Sequence, residues 1–78
     1  MRYGDTGTRI ETLQQKLISL GYSCGSWGDD GDFGSATLAA VKKFQSDHNL
    51  TADGIVGQST WDALNKAIEN KNNMPTVN

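Results

Sequence analysis

The chain has a single cysteine, Cys24, so no disulfide can form within it. One cysteine and one histidine, His48, also fall short of the three or four such ligands that a zinc site needs. The one proline, Pro75, lies in an asparagine-rich tail. No apolar run approaches the ~20 residues that cross a bilayer, so no membrane span is expected. No charged-then-apolar leader opens the sequence, so if the protein acts outside a cell its export signal lies elsewhere or another route is used. A net charge of −2 and a pI near 5.0 argue against a nucleic-acid binder, which usually needs a basic face. The lysines cluster only at Lys42-Lys43, which reads as the solvated face of a helix.

Catalytic constellations are equally sparse. A nucleophile needs a base and an orienting group in a cleft. His48 stands alone near an expected helix end, where it favours the helix dipole. The only glutamates are Glu11, in an expected capping box, and Glu69, near the end of the last expected helix, so a carboxylate pair for glycoside cleavage is not indicated. Asp29, Asp30 and Asp32 invite a calcium reading. The twelfth position of such a loop, which supplies the bidentate Glu of an EF-hand, is Ala40 or Val41 depending on where the count starts. Neither catalysis, a metal nor a cofactor is therefore expected.

What is present is a repeated phrase. Asp30-Gly31-Asp32-Phe33-Gly34-Ser35-Ala36-Thr37 recurs as Asp53-Gly54-Ile55-Val56-Gly57-Gln58-Ser59-Thr60, 23 residues later. In each copy Asp-Gly makes a turn, since Gly tolerates positive φ and Asp bonds nearby backbone amides. Phe33 or Val56 then plugs inward, and the second Gly leads into a helix.

Around these phrases the periodicity predicts three amphipathic helices and no strand beyond an isolated bridge at Arg2-Tyr3 or Ile55-Val56. Thr8 to Leu20 opens on a capping box, Thr8 with Glu11, buries Ile10, Leu13, Leu17 and Leu20, and stops at Gly21. Ser35 to Asp47 buries Leu38, Ala40, Val41 and Phe44, with Asn49 as a left-handed cap. Gln58 to Glu69 carries Trp61, Leu64 and Ile68 on one face. The expectation is an all-α domain, a small three-helix bundle with an internal pseudo-repeat, over residues 1–69, followed by a polar tail over 70–78. Gln14 and Gln45 each follow a core residue and are expected to bond an unpaired backbone group of a neighbouring turn. Tyr22 and Trp27 sit in a Gly- and Ser-rich loop, either covering the edge of the core or marking a contact surface.

The segments Leu13-Gln14-x-x-Leu17-x-x-Leu20-Gly21-Tyr22, Asp30-Gly31-x-Phe33-Gly34-x-x-Thr37-x-x-Ala40-Val41-x-x-Phe44-Gln45 and Leu50-x-x-Asp53-Gly54-x-Val56-Gly57-x-x-Thr60-Trp61-x-x-Leu64 closely resemble the peptidoglycan-binding domain of the type-one family. The resemblance runs from about Gly4 to Ile68. It departs from the family at Asn49, where Gly is usual and Asn tolerates the same backbone. It implies a three-helix, non-catalytic wall anchor joined to an amidase, muramidase, peptidase or transpeptidase, as in phage endolysins and spore or autolytic enzymes. The implied location is the bacterial cell wall, and the implied partners are peptidoglycan and a covalently linked catalytic domain, the module itself being a monomer. A related domain forms the inhibitory propeptide of matrix metalloproteinases, so a module packing on its own enzyme is the alternative. Cys24, in Ser-Cys-Gly, lacks that propeptide's switch motif.

Peptidoglycan offers sugar rings, acetamides and short peptides with carboxylates. Aromatic faces suit the first, and amides, hydroxyls and helix N-termini the others. On that basis the expected contact residues are Tyr22, Trp27, Asp30 and Asp32 near the first turn, and Asn49 and Asp53 near the second. The contact surface is expected between the two turns.

Overall fold

The computed structural model describes residues 1–26 and 28–72. Trp27 and residues 73–78 of the expected tail lie outside the described residues. Three helices follow in order: α1 (Thr8–Ser19), α2 (Ser35–Asp47) and α3 (Gln58–Asn72). The expected α2 matches residue for residue. α1 stops one residue short of Leu20, and α3 runs three residues past Glu69.

Both internal helix ends close in the same way. Gly21, at φ 93°, donates its N–H to Ile18 O, and Tyr22 donates to Leu17 O. Asn49, the one described non-glycine residue at positive φ (59°), donates to Ser46 O, and Leu50 donates to Gln45 O. These paired bonds form the Schellman arrangement, in which a left-handed residue satisfies the last helical carbonyls.

The start of α1 differs from expectation. Gly7, not Thr8, holds the N-cap, with φ 122° and no side-chain cap, so the Thr8–Glu11 capping box is not formed. The cause is tertiary. Gly7 donates its N–H to Gly31 O at 2.9 Å, and Thr6 pairs with Asp32 in an isolated antiparallel bridge. That pairing fixes where the chain enters the helix, and Thr8 falls inside the first turn. Gly4 N–H to Phe33 O and Phe33 N–H to Asp5 O extend the contact. Met1 and Val56 exchange two further bonds, so the lead-in segment stitches both turns together. Of the two bridge positions expected, Val56 takes part through Met1, and the bridge itself falls at Thr6 and Asp32.

α1 packs on both α2 and α3. The core joins Ile10, Leu13 and Leu17 of α1 to Ala40, Val41 and Phe44 of α2 and Leu64 of α3. The connectors complete it: Cys24, Phe33 and Val56 are all buried, which places both phrase plugs as expected. Phe44 also takes the Tyr22 ring edge-on at 5.7 Å and stacks on His48 at 4.2 Å.

Two candidate clefts built on one turn

Each turn is organised by a glutamine with no accessible surface to speak of, 0% for Gln14 and 1% for Gln45. Gln14 Oε1 accepts the Gly31 N–H at 2.8 Å, while its Nε2 reaches Asp30 Oδ1, Asp32 O and Thr37 Oγ1, each at 3.0 Å. Gln45 does the same one repeat later. Its Oε1 accepts the Gly54 N–H at 2.9 Å, and its Nε2 reaches Asp53 Oδ1, Ile55 O and Thr60 Oγ1. An amide nitrogen has two hydrogens and here three acceptors, so one hydrogen is shared. The structural role expected of these glutamines is thus fulfilled in full.

Asp30 and Asp53 complete the turns. Asp30 Oδ1 accepts the Asp32 N–H at 3.0 Å, and Asp53 Oδ1 accepts the Ile55 N–H at 2.9 Å. The Asp32 amide first, then Gln14, holds the Asp30 carboxyl below the usual carboxylate range. The Ile55 amide, assisted by Gln45, does the same for Asp53. Gly31 and Gly54 are needed here because the turn requires φ of 76° and 75°. One carboxylate oxygen per turn is thus engaged inside the fold. Among the described residues no group of three His, Cys, Asp or Glu side chains is placed to hold a metal.

A cleft opens beside each turn. The one at the second turn, about 480 Å³, is lined by Asp53, Ile55, Gly57, Gln58, Ser59 and Thr60, with Gln45, Asn49, Leu50 and Thr51 opposite. The one at the first turn is half that size, about 250 Å³, and is lined by Asp30, Asp32, Gly34, Ser35, Ala36 and Thr37, with Cys24, Gly25 and Ser26 opposite. Six positions correspond one to one at the 23-residue spacing. The opposite banks differ, and so do the distances along the chain: Gln14 precedes Gly31 by 17 residues, whereas Gln45 precedes Gly54 by nine.

The longer first connector accounts for the smaller cleft. Gly25, at φ 88°, lies so close to α2 that a Cβ there would stand 2.9 Å from Ala36 Cβ. Cys24 is 7% exposed, and burial raises its thiol pKa, with Asp30 and Asp29 adding to the effect and a bond to Thr37 opposing it. Burial and the raised pKa both disfavour the thiolate, the reactive form.

Trp27 lies outside the described residues, and the other five residues expected to contact ligand do not fall in one place. Asn49 and Asp53 line the wider cleft, and Asp30 and Asp32 the narrower. The two clefts share no lining residue. Tyr22 borders a shallow depression with Ile18, Gly21 and the Ser23–Ser26 stretch. Its hydroxyl donates to Asp47 Oδ2 at 2.8 Å, and partial burial, with Asp47, pushes its pKa up to about 12. Leu50, Thr51, Ile55, Gln58 and Ser59 line the wider cleft without having been singled out from sequence. The signal was available for Ile55, since of two adjacent apolar residues only Val56 can plug the core.

The chain matches the family model for the peptidoglycan binding domain over residues 6–64. It is 36% identical, over all of its length, to the N-acetylmuramoyl-L-alanine amidase CwlL of Bacillus licheniformis, and spans 21% of that protein. Among solved structures it is similar to a Burkholderia AP3 phage endolysin, with TM-score 0.76 and 44% identity over 82% of this chain and 24% of the endolysin. It is also similar to the SleB N-terminal domain, with TM-score 0.80 and 34% identity over 86% of this chain and 89% of that domain. With its three helices, its duplicated turn and a family match over most of its length, the chain belongs to the peptidoglycan binding domain family.

Proposed function

We propose that this domain binds bacterial cell-wall peptidoglycan without cleaving it, holds a linked cell-wall hydrolase on its substrate, and makes contact through the wider cleft at the second turn. The observation that carries the site is the asymmetry of the two clefts. The same turn is repeated, but only the second copy leaves the start of its helix open over about 480 Å³. Its open side displays Asn49, Thr51, Gln58 and Ser59, which offer amides and hydroxyls to acetamide and peptide groups. The non-catalytic reading rests on the state of the candidate reactive groups. The Cys24 thiol is buried with a raised pKa, and the His48 ring stacks on Phe44. The link to a hydrolase rests on relatives such as CwlL and the AP3 endolysin, which are several times longer than this chain.

One shallow cleft binds weakly. A repetitive wall and a linked catalytic domain raise the effective concentration enough to make weak contacts useful. The test is retention of the isolated chain on purified sacculi. Enrichment over a non-binding protein of the same size is expected, and none would overturn the proposal. Ser59→Tyr, at an exposed position of the cleft, should lower retention on the order of tenfold, equivalent to ~1.4 kcal/mol. Unchanged retention would remove this cleft from the site.

A further inference from the structure

We infer that the wider cleft takes the peptide part of peptidoglycan, as a short extended segment with small side chains, rather than the glycan chain. This rests on the peptidoglycan-binding reading above and names which half of the polymer is held.

Three observations point the same way. First, none of the described residues lining the wider cleft carries a ring. Sugar rings present flat C–H faces and are gripped by aromatic side chains, so a cleft built without them is poorly suited to a glycan. Second, its lining combines hydrogen-bonding side chains with the apolar Leu50 and Ile55. Asn49, Thr51 and Ser59 offer hydrogen-bonding partners for a backbone, and the half-exposed Ile55, at 43%, offers a surface for a methyl group. The single charge is the Asp53 carboxylate. Its Oδ1 is engaged within the turn by the Ile55 N–H and the Gln45 amide.

Third, the first turn shows the protein's own chain against the matching surface. Cys24-Gly25-Ser26, three small residues, lie over the start of α2, with Gly25 in contact range of Ala36. Ala36 corresponds to Ser59. The start of each helix is thus a surface that a small-residue peptide segment can lie against: one is covered from within, and the other is open.

The test uses the intact chain, labelled for amide NMR, with two soluble probes at millimolar concentration. One is a synthetic stem tetrapeptide, L-Ala-γ-D-Glu-L-Lys-D-Ala, and the other is the N-acetylglucosamine tetramer. The peptide is expected to shift the amides of Asn49, Thr51, Ile55 and Ser59, and the sugar to leave them in place. Ser59→Tyr should abolish the peptide shifts while leaving the melting curve unchanged, and Ser46→Tyr, on an exposed position outside both clefts, should preserve them. In parallel, glycan strands freed of stem peptides by an amidase and coupled to beads should retain the chain on the order of tenfold less than sacculi coupled to the same beads. Shifts by the sugar alone, peptide shifts confined to the first turn, or full retention on the bead-bound peptide-free strands would each overturn the peptide assignment while leaving wall binding standing. Absence of retention on intact sacculi would overturn both.

Discussion

The first and second turns carry five matching hydrogen bonds, with the Ile55 backbone standing where the first has that of Asp32, yet one faces its own loop and the other faces solvent. The buried part of each repeat is therefore a fixed device: glutamine, Asp-Gly turn, threonine. The connector that follows each glutamine is the variable part. Eight extra residues between Gln14 and Gly31 let Cys24 bury and Gly25 reach α2. The five residues from Asn49 to Asp53 leave no slack to do so. Duplication has supplied the architecture, and the unequal connectors have made the copies different on the surface.

The sharpest way to break that comparison is to delete the glutamines. Gln14→Ala and Gln45→Ala each strand a buried glycine N–H and a threonine hydroxyl and leave a cavity. A loss on the order of 3–5 kcal/mol is expected for each, a large share of the stability of a domain this size. The two should not be equal. Gln45 borders the wider cleft, so water can reach its orphaned partners, whereas Gln14 does not border the narrower one. Urea denaturation should therefore rank Gln14→Ala as the more damaging. The reverse order would mean that the open cleft does not lend water to the turn.

A smaller effect separates the two turn glycines. Gly31→Ala and Gly54→Ala impose the same left-handed strain, about 1–2 kcal/mol. Their surroundings differ. A Cβ on Gly54 would stand 2.4 Å from Leu38 Cδ1, whereas one on Gly31 would meet Glu11 Cγ at 3.1 Å and Gly7 O at 3.2 Å. Gly54→Ala is expected to cost about 1 kcal/mol more, a typical charge for overpacking. Leu38→Ala should remove that excess, so the double variant should lose less than the two singles combined. Strict additivity in thermal melts would show that Leu38 swings aside freely.

Much of this organisation could be read from the residues alone. The α2 boundaries, the Gly21 and Asn49 stops and the Phe33 and Val56 plugs follow from local spacing, and Gln14 and Gln45 are marked by their place beside a core residue, although the partners of Gln14 lie 16 to 23 residues along the chain. The Thr8–Glu11 capping box did not form, because a contact 24 residues away, Gly7 to Gly31, decides where α1 begins. The clefts were legible only in part for the same reason. The repeated phrase marks both turns, and Asn49 and Asp53 were found through it. Which turn stays open depends on where Cys24, Gly25 and Ser26 pack, and composition carries no signal for that. Tyr22 shows the ambiguity at one residue: its ring covers the edge of the core against Phe44, and its hydroxyl sits at the surface on Asp47.

The smallest expected effect concerns the two aspartates, and it tests the symmetry of the turns most directly. Both carboxyls are held below the ordinary value of 3.8, chiefly by the amide two residues on, so the folded state binds fewer protons than the unfolded chain as the pH approaches that value. The stability they contribute is complete above pH 3.8 and is lost as the pH falls through their lower folded values. Asn in place of either Asp keeps an oxygen for the Asp32 or Ile55 amide but no longer titrates. Asp30→Asn and Asp53→Asn should therefore each flatten the acid limb of a melting-temperature profile between pH 5 and pH 2, and the double variant should flatten it further. Because each carboxylate accepts the same two bonds, the single variants should remove equal shares. If Asp53→Asn flattens the limb and Asp30→Asn does not, the first turn does not rely on its aspartate, and the loop packed over it has taken over the work of holding it closed.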